Sequence, residues 1–134
     1  RLGDPETQII MALLETDLLH LLDGLAGGLL SEIDVTLSPR AATTVTLASK
    51  GYPGDCPKGL PIQLPKPSEL GEDQLLFHAG TAEVDGKVVT AGGRVLSCVG
   101  LGADLEKAVK KAFEVVNNVQ FEGKTHRTDI GSVG

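Results

Sequence analysis

The feature that most constrains the fold is the dipeptide Asp85-Gly86, set between two runs suited to strands. A two-residue hairpin turn needs positive φ at its centre, which Asp and Gly tolerate, so the flanking chain must fold back on itself. Those flanks are Gln74 to Glu83 and Lys87 to Ala91. Gly92-Gly93 then breaks the pairing, and Arg94 to Gly100 supplies one more strand, with Val95, Leu96 and Val99 available to a core. The order is antiparallel.

Upstream, Ala42 to Ser49 reads as a strand because Thr43, Thr44, Val45 and Thr46 are β-branched. Leu60 to Leu64 reads as an edge strand, marked by Pro61; Pro65 to Asp73 is a connector, and Ile33 to Leu37 a short strand closed by Pro39. Such a sheet needs a cover. Asp104 caps a helix on which Leu105, Ala108, Val109, Ala112, Val115 and Val119 share one face, while Glu106, Lys107, Lys110, Lys111 and Glu114 take the other. The chain has no Trp and an aromatic content of 3%, so small aliphatic side chains must fill the interior.

The first thirty residues read differently. From Pro5 to Leu14 the residues Ile9, Ile10, Leu13 and Leu14 recur at helical spacing and form one stripe. Thr16 or Asp17 caps a second helix with the stripe Leu18, Leu21, Leu22 and Leu25, ended by Gly27-Gly28. His20 lies off that stripe, as a surface histidine does. The class is therefore α+β: two helices, then a small antiparallel sheet or barrel-like domain with one packed helix. A length of 134 residues suits one compact domain, or a small domain with a piece of another.

A net charge of −6 argues against a general affinity for nucleic acid, whose phosphates are bound by clustered Lys and Arg. No apolar run reaches the roughly 18 residues of a membrane span, and no signal-peptide core follows Arg1, which leaves the cytoplasm as the expected location. Cys56 and Cys98 lack metal-site or framework spacing and read as free thiols.

Chemistry concentrates in a few places. In Arg1-Leu2-Gly3-Asp4-Pro5-Glu6-Thr7-Gln8, Asp4 suits a helix cap, Pro5 the first helical position and Glu6 the positive end of the helix dipole. A plain helix start does not require Arg1 or Gly3. The loop Lys50 to Gly59, with three glycines and two prolines, is either a turn between strands or a cradle of amides and ammonium groups for an anion. Arg94 follows two glycines, so it is either a solvated charge or a guanidinium that reaches a phosphate or carboxylate. His78 suits a half-buried strand position, and Arg127 and Asp129 can pair or hold the tail.

The opening octet closely resembles the signature of phosphoribosylamine-glycine ligases, with Leu2 in place of Phe. Later landmarks resemble the same family in the same order: Ala48-Ser49-Lys50-Gly51-Tyr52-Pro53-Gly54-Asp55, Phe77-His78-Ala79-Gly80-Thr81, Gly92-Gly93-Arg94-Val95-Leu96 and Arg127-Thr128-Asp129-Ile130-Gly131. Cys56 stands where a tyrosine is usual. The resemblance implies a fragment, roughly the last third of an ATP-grasp enzyme: residues 1–30 would end the ATP-grasp domain and 31–134 form the small C-terminal domain. It implies ligation of glycine to 5-phosphoribosylamine with ATP and Mg (or Mn), which the upstream region would bind, the metal ligands lying just before Arg1. Arg1, Asp4 and Glu6 would be catalytic, and Gly3, Pro5, Lys50, Gly51 and Arg94 would bind substrate. A related ATP-grasp carboxylate-amine ligase and a non-catalytic β-rich binding module are the alternatives.

Overall fold

The computed structural model describes residues 2–132. Two short helices, α1 (Glu6–Leu13) and α2 (Leu18–Ala26), precede strand β1 (Ala41–Ala48). Strands β2 (Gln74–His78), β3 (Thr81–Val84), β4 (Lys87–Thr90) and β5 (Arg94–Gly102) follow, and helix α3 (Leu105–Asn118) closes the described order. One sheet has the order β1-β5-β2, the other is the β3-β4 hairpin, and all pairs are antiparallel. The architecture is α+β, as its sequence pattern predicts.

The hairpin forms as expected. Asp85 has φ 50° and Gly86 φ 72°, the left-handed geometry of the turn. The single strand expected over Gln74 to Glu83, however, is two. Gly80 divides them: its amide donates to the carbonyl of Arg94 at 2.8 Å, and a Cβ there would lie 2.6 Å from that oxygen. β2 therefore stays on β5, while β3 departs into the hairpin. The segment Leu60 to Leu64 is likewise not a strand. Pro61 has no N–H to give, so the segment makes only single pairings, Pro61 with Val89 and Gln63 with Gln120.

β5 is buried along nearly its whole length because helices cover both faces. Leu96, Cys98 and Gly100 face α3, whereas Ser97 faces α1. The α3 residues Ala112, Val115 and Val116 pack with Val45, Leu47, Leu96, Cys98, Phe121 and Ile62 in the core. Asp104 caps α3 through the Lys107 amide at 2.8 Å. At the other end Lys124 does the capping. Its ammonium donates to the carbonyls of Val116 at 2.9 Å and Val119 at 2.6 Å, so a cation meets the negative helix terminus. Asp73 ties three elements together by accepting from Arg40 before β1 and from Lys111 on α3, and these cations hold its carboxyl below the usual range.

Burial pushes the Cys98 thiol up to about 12, whereas Cys56 lies half-buried in the loop after β1. The unfolded chain ionises its thiols near about pH 8.5, so the Cys98 contribution to stability is present below that pH and is lost as pH rises toward 12. With a thiol-specific chromogenic reagent at pH 8, Cys56 is expected to react fast and Cys98 only on unfolding. Fast modification of Cys98 in the folded chain would contradict its buried place.

In the N-terminal region Asp17 caps α2 by accepting from the His20 amide at 2.8 Å, and Gly27-Gly28 ends the helix as expected. Among the described residues the stripe of α2 is largely uncovered, with only Leu21 half-buried. Leu22 is 52% and Leu25 60% exposed, and Leu18, Leu19, Leu29 and Leu30 extend the open apolar face. The α1 stripe is only half-buried. No strand spans Ile33 to Leu37, because the carbonyl of Thr36 is taken by the amides of Glu15 and Thr16, leaving one pairing of Leu37 with Leu14. Among the described residues no helix is long and apolar enough to cross a membrane.

Candidate functional site

Arg1 lies outside the described residues; the rest of the octet is docked on β5. Pro5 precedes the first helical residue rather than occupying it, and Asp4 makes no cap. The reason is competition for its carboxylate. Oδ2 of Asp4 lies 3.2 Å from Nε of Arg94, and Nη1 of Arg94 donates to the Asp4 carbonyl at 3.0 Å. Oδ1 accepts from Nε2 of Gln8 at 3.2 Å, and the same Gln8 nitrogen lies 3.4 Å from the Ser97 hydroxyl. The first turn is closed instead by Thr7, whose amide donates to the Gly3 carbonyl at 3.0 Å and whose hydroxyl bonds to the same oxygen. Gly3 is buried, while Asp4 and Glu6 are exposed at the helix opening.

The loop after β1 comes to the same strand by a different route. Gly51 has φ 96°, and a Cβ there would lie 2.3 Å from the Asp55 carbonyl, so the turn requires glycine. Ser49 anchors the loop: its amide donates to the Gly93 carbonyl at 2.8 Å and its hydroxyl to that of Gly92 at 3.1 Å. The Tyr52 ring then lies over Gly93, where a Cβ would stand 2.4 Å from it. The glycine pair before Arg94 thus serves close approach of the loop, which spacing alone does not disclose.

Tyr52, Arg94, Thr46, Ala48, Thr125, His126 and Arg127 line an open groove of about 390 Å³. Arg94 stands where this groove meets the octet. Lys50 is not in the groove wall; it is exposed, and its Cβ lies beside Gly123. Arg127 is held by Asp129 through Nε at 2.9 Å, the first of the two roles open to them. His126 lies against Phe113, with ring centroids 6.0 Å apart. His78 sits exposed at the end of β2, bonded to the Thr81 hydroxyl at 3.0 Å.

Asp4, Gly3 and Arg94 are thus brought together, and Gly51 lies in the loop next to them. Lys50 and Glu6 point to no shared partner among the described residues. Tyr52, Thr125 and His126 belong to the groove but are not singled out by sequence reasoning; the one signal is that Tyr52 lies inside the Ala48 to Asp55 landmark. No three or more His, Cys, Asp or Glu residues among those described are placed to hold a metal ion.

Residues 42–133 match the family model described as Phosphoribosylglycinamide synthetase, C domain. The Phosphoribosylamine--glycine ligase of Thermotoga maritima is 46% identical over 132 residues, covering 97% of this chain and 30% of that protein. The Bifunctional purine biosynthetic protein purD of Dictyostelium discoideum is 44% identical over 133 residues, 98% of this chain and 16% of that protein. The human Trifunctional purine biosynthetic protein adenosine-3 is 44% identical over 133 residues, 98% of this chain and 13% of that protein. A crystal structure of the Thermotoga maritima ligase superposes with a TM-score of 0.80 at 45% identity, covering 96% of this chain and 31% of that one. The chain therefore spans less than a third of each of these relatives.

Proposed function

Because the chain belongs to the phosphoribosylglycinamide synthetase family, whose C domain it carries, we propose that it works as part of a phosphoribosylamine-glycine ligase in purine biosynthesis. The relatives bear that name or the name of a multifunctional purine biosynthetic protein, and the octet and Arg94 meet in this chain as a joint site would require. In this reading residues 1–30 complete the ATP-grasp domain and 31–134 form the C-terminal domain. The uncovered leucines of α2 support that division, since an apolar face of this size calls for cover from the rest of the enzyme. The enzyme is cytoplasmic.

The reaction has two steps. A carboxylate oxygen of glycine attacks the γ-phosphorus of ATP, and ADP leaves with the electron pair of the broken bond. The amine of 5-phosphoribosylamine then attacks the acyl phosphate carbonyl, phosphate departs, and the amine loses a proton to give glycinamide ribonucleotide. Negative charge grows on the transferring group, so a cationic side chain beside it lowers the barrier, the role proposed for Arg1. Asp4 and Glu6 take the ammonium of glycine or orient the amine, and Gly3 and Pro5 shape the backbone that faces them. Arg94 meets the phosphoribosyl group from the groove, and Lys50 and Gly51 reach it from the adjoining loop, since its phosphate suits cationic and amide donors. The described residues do not by themselves fit a metal ion. ATP, the phosphoryl donor, and Mg (or Mn) would be held by the rest of the enzyme.

The observation that carries this reading is the ion pair of Asp4 with Arg94, which joins the octet to the groove. The test is ADP release by the enzyme with its upstream region present. Release should require both glycine and phosphoribosylamine, the 134-residue chain alone should show none, and Arg1→Ala should cut the rate while the melting temperature stays unchanged. ADP release that ignores glycine would overturn the assignment.

A further inference from the structure

Resting on that reading, we propose that Arg94 is the positioning residue that holds Asp4 in register for glycine, while its remaining edge serves the groove. The guanidinium grips Asp4 at two points, Nε to Oδ2 at 3.2 Å and Nη1 to the main-chain carbonyl at 3.0 Å. A single charge attraction would leave the carboxylate free to swing. Contact to both side chain and backbone fixes the peptide as well as the carboxylate, and a planar fork holds the two in a set geometry where a rotating ammonium would not. Of the five N–H donors of a guanidinium, one on Nη1 goes to the Asp4 carbonyl, and the same group also lines the groove.

Gln8 is the second arm. It reaches the other carboxylate oxygen of Asp4 and leans on Ser97, so both arms start from or rest on β5, the most buried strand of the fold. Apart from Gln8 the octet has little support from its own helix, since α1 has no buried residue and no side-chain cap. Placement of Asp4 is therefore borrowed from a rigid strand 90 residues away. Because one guanidinium serves Asp4 and the groove, its loss should be felt by both substrates, and its two roles can be separated by geometry.

In the full-length enzyme Arg94→Ala is expected to raise the KM for glycine and that for phosphoribosylamine, each by about tenfold or more. Arg94→Lys keeps the charge but not the fork, so the phosphoribosylamine constant should return toward the wild-type value while the glycine constant stays raised. Gln8→Met should raise the glycine constant alone, by a smaller factor, and gives the same readout if Arg94→Ala does not fold. Glycine constants that stay at the wild-type value in Arg94→Lys and Gln8→Met would overturn the positioning role. Wild-type ADP release without glycine dependence would instead overturn the functional reading beneath it.

Discussion

Gly100→Ala is expected to destabilise the chain by about 3 kcal/mol, enough to remove a large part of a domain's usual margin. Gly100 is a point of β5 over which the α3 backbone passes closely. A Cβ built there would lie 2.3 Å from both the Ala108 carbonyl oxygen and the Ala112 amide nitrogen, and 2.9 Å from the Lys111 carbonyl carbon. All three are backbone atoms of a helix that cannot yield locally, so α3 would have to lift off the sheet along its Ala112, Val115 and Val116 contacts. The melting temperature should fall by about 10 °C or more. Gly71→Ala is the control, since its nearest neighbours are 3.7 Å away on a flexible Gln74 side chain, and it should stay within about 0.5 kcal/mol of wild type. A wild-type melting curve for Gly100→Ala would mean that α3 does not sit on β5 as described.

Asp4→Asn should lower kcat/KM for glycine about 100-fold in the full-length enzyme and leave folding nearly unchanged. The amide keeps the size of the carboxylate and can still accept from Arg94, but it has no charge to offer an ammonium group. Stability should move little because both partners of the Asp4–Arg94 pair are partly exposed, and such pairs contribute at most about 1 kcal/mol. A glycine kcat/KM within about twofold of wild type would remove Asp4 from the site, because a lost charge at a reacting centre costs far more than that. A large fall in melting temperature would instead assign Asp4 a structural part.

Local chemistry reads well from sequence where neighbours in the chain decide the outcome. Asp85-Gly86 makes its turn, Asp17 and Asp104 cap their helices, and Ala108, Ala112, Val115 and Val119 of the α3 stripe find the core, because each depends on backbone geometry or spacing within a few residues; Leu105, in the first turn, stays 44% exposed, and Val116 is buried beside the stripe. Asp4 is the instructive exception. Its sequence context matches a helix cap, yet a guanidinium from β5 offers its carboxylate a stronger partner than the free amides do. The leucines of α2 fail differently: periodicity correctly marks an apolar face but says nothing of what covers it.

The sequence alone determined the α+β class, the hairpin, the helix faces and, through five ordered landmarks, the family. Only the tertiary structure decided the β1-β5-β2 order, the division of one strand into two at Gly80, and the groove lined by Tyr52, Arg94 and His126. Turns, caps and amphipathic faces are set by short-range sterics and hydrogen bonds. The meeting of Arg94 with Asp4, or of Tyr52 with Gly93, depends on where a buried sheet carries distant segments, and no local spacing encodes that distance.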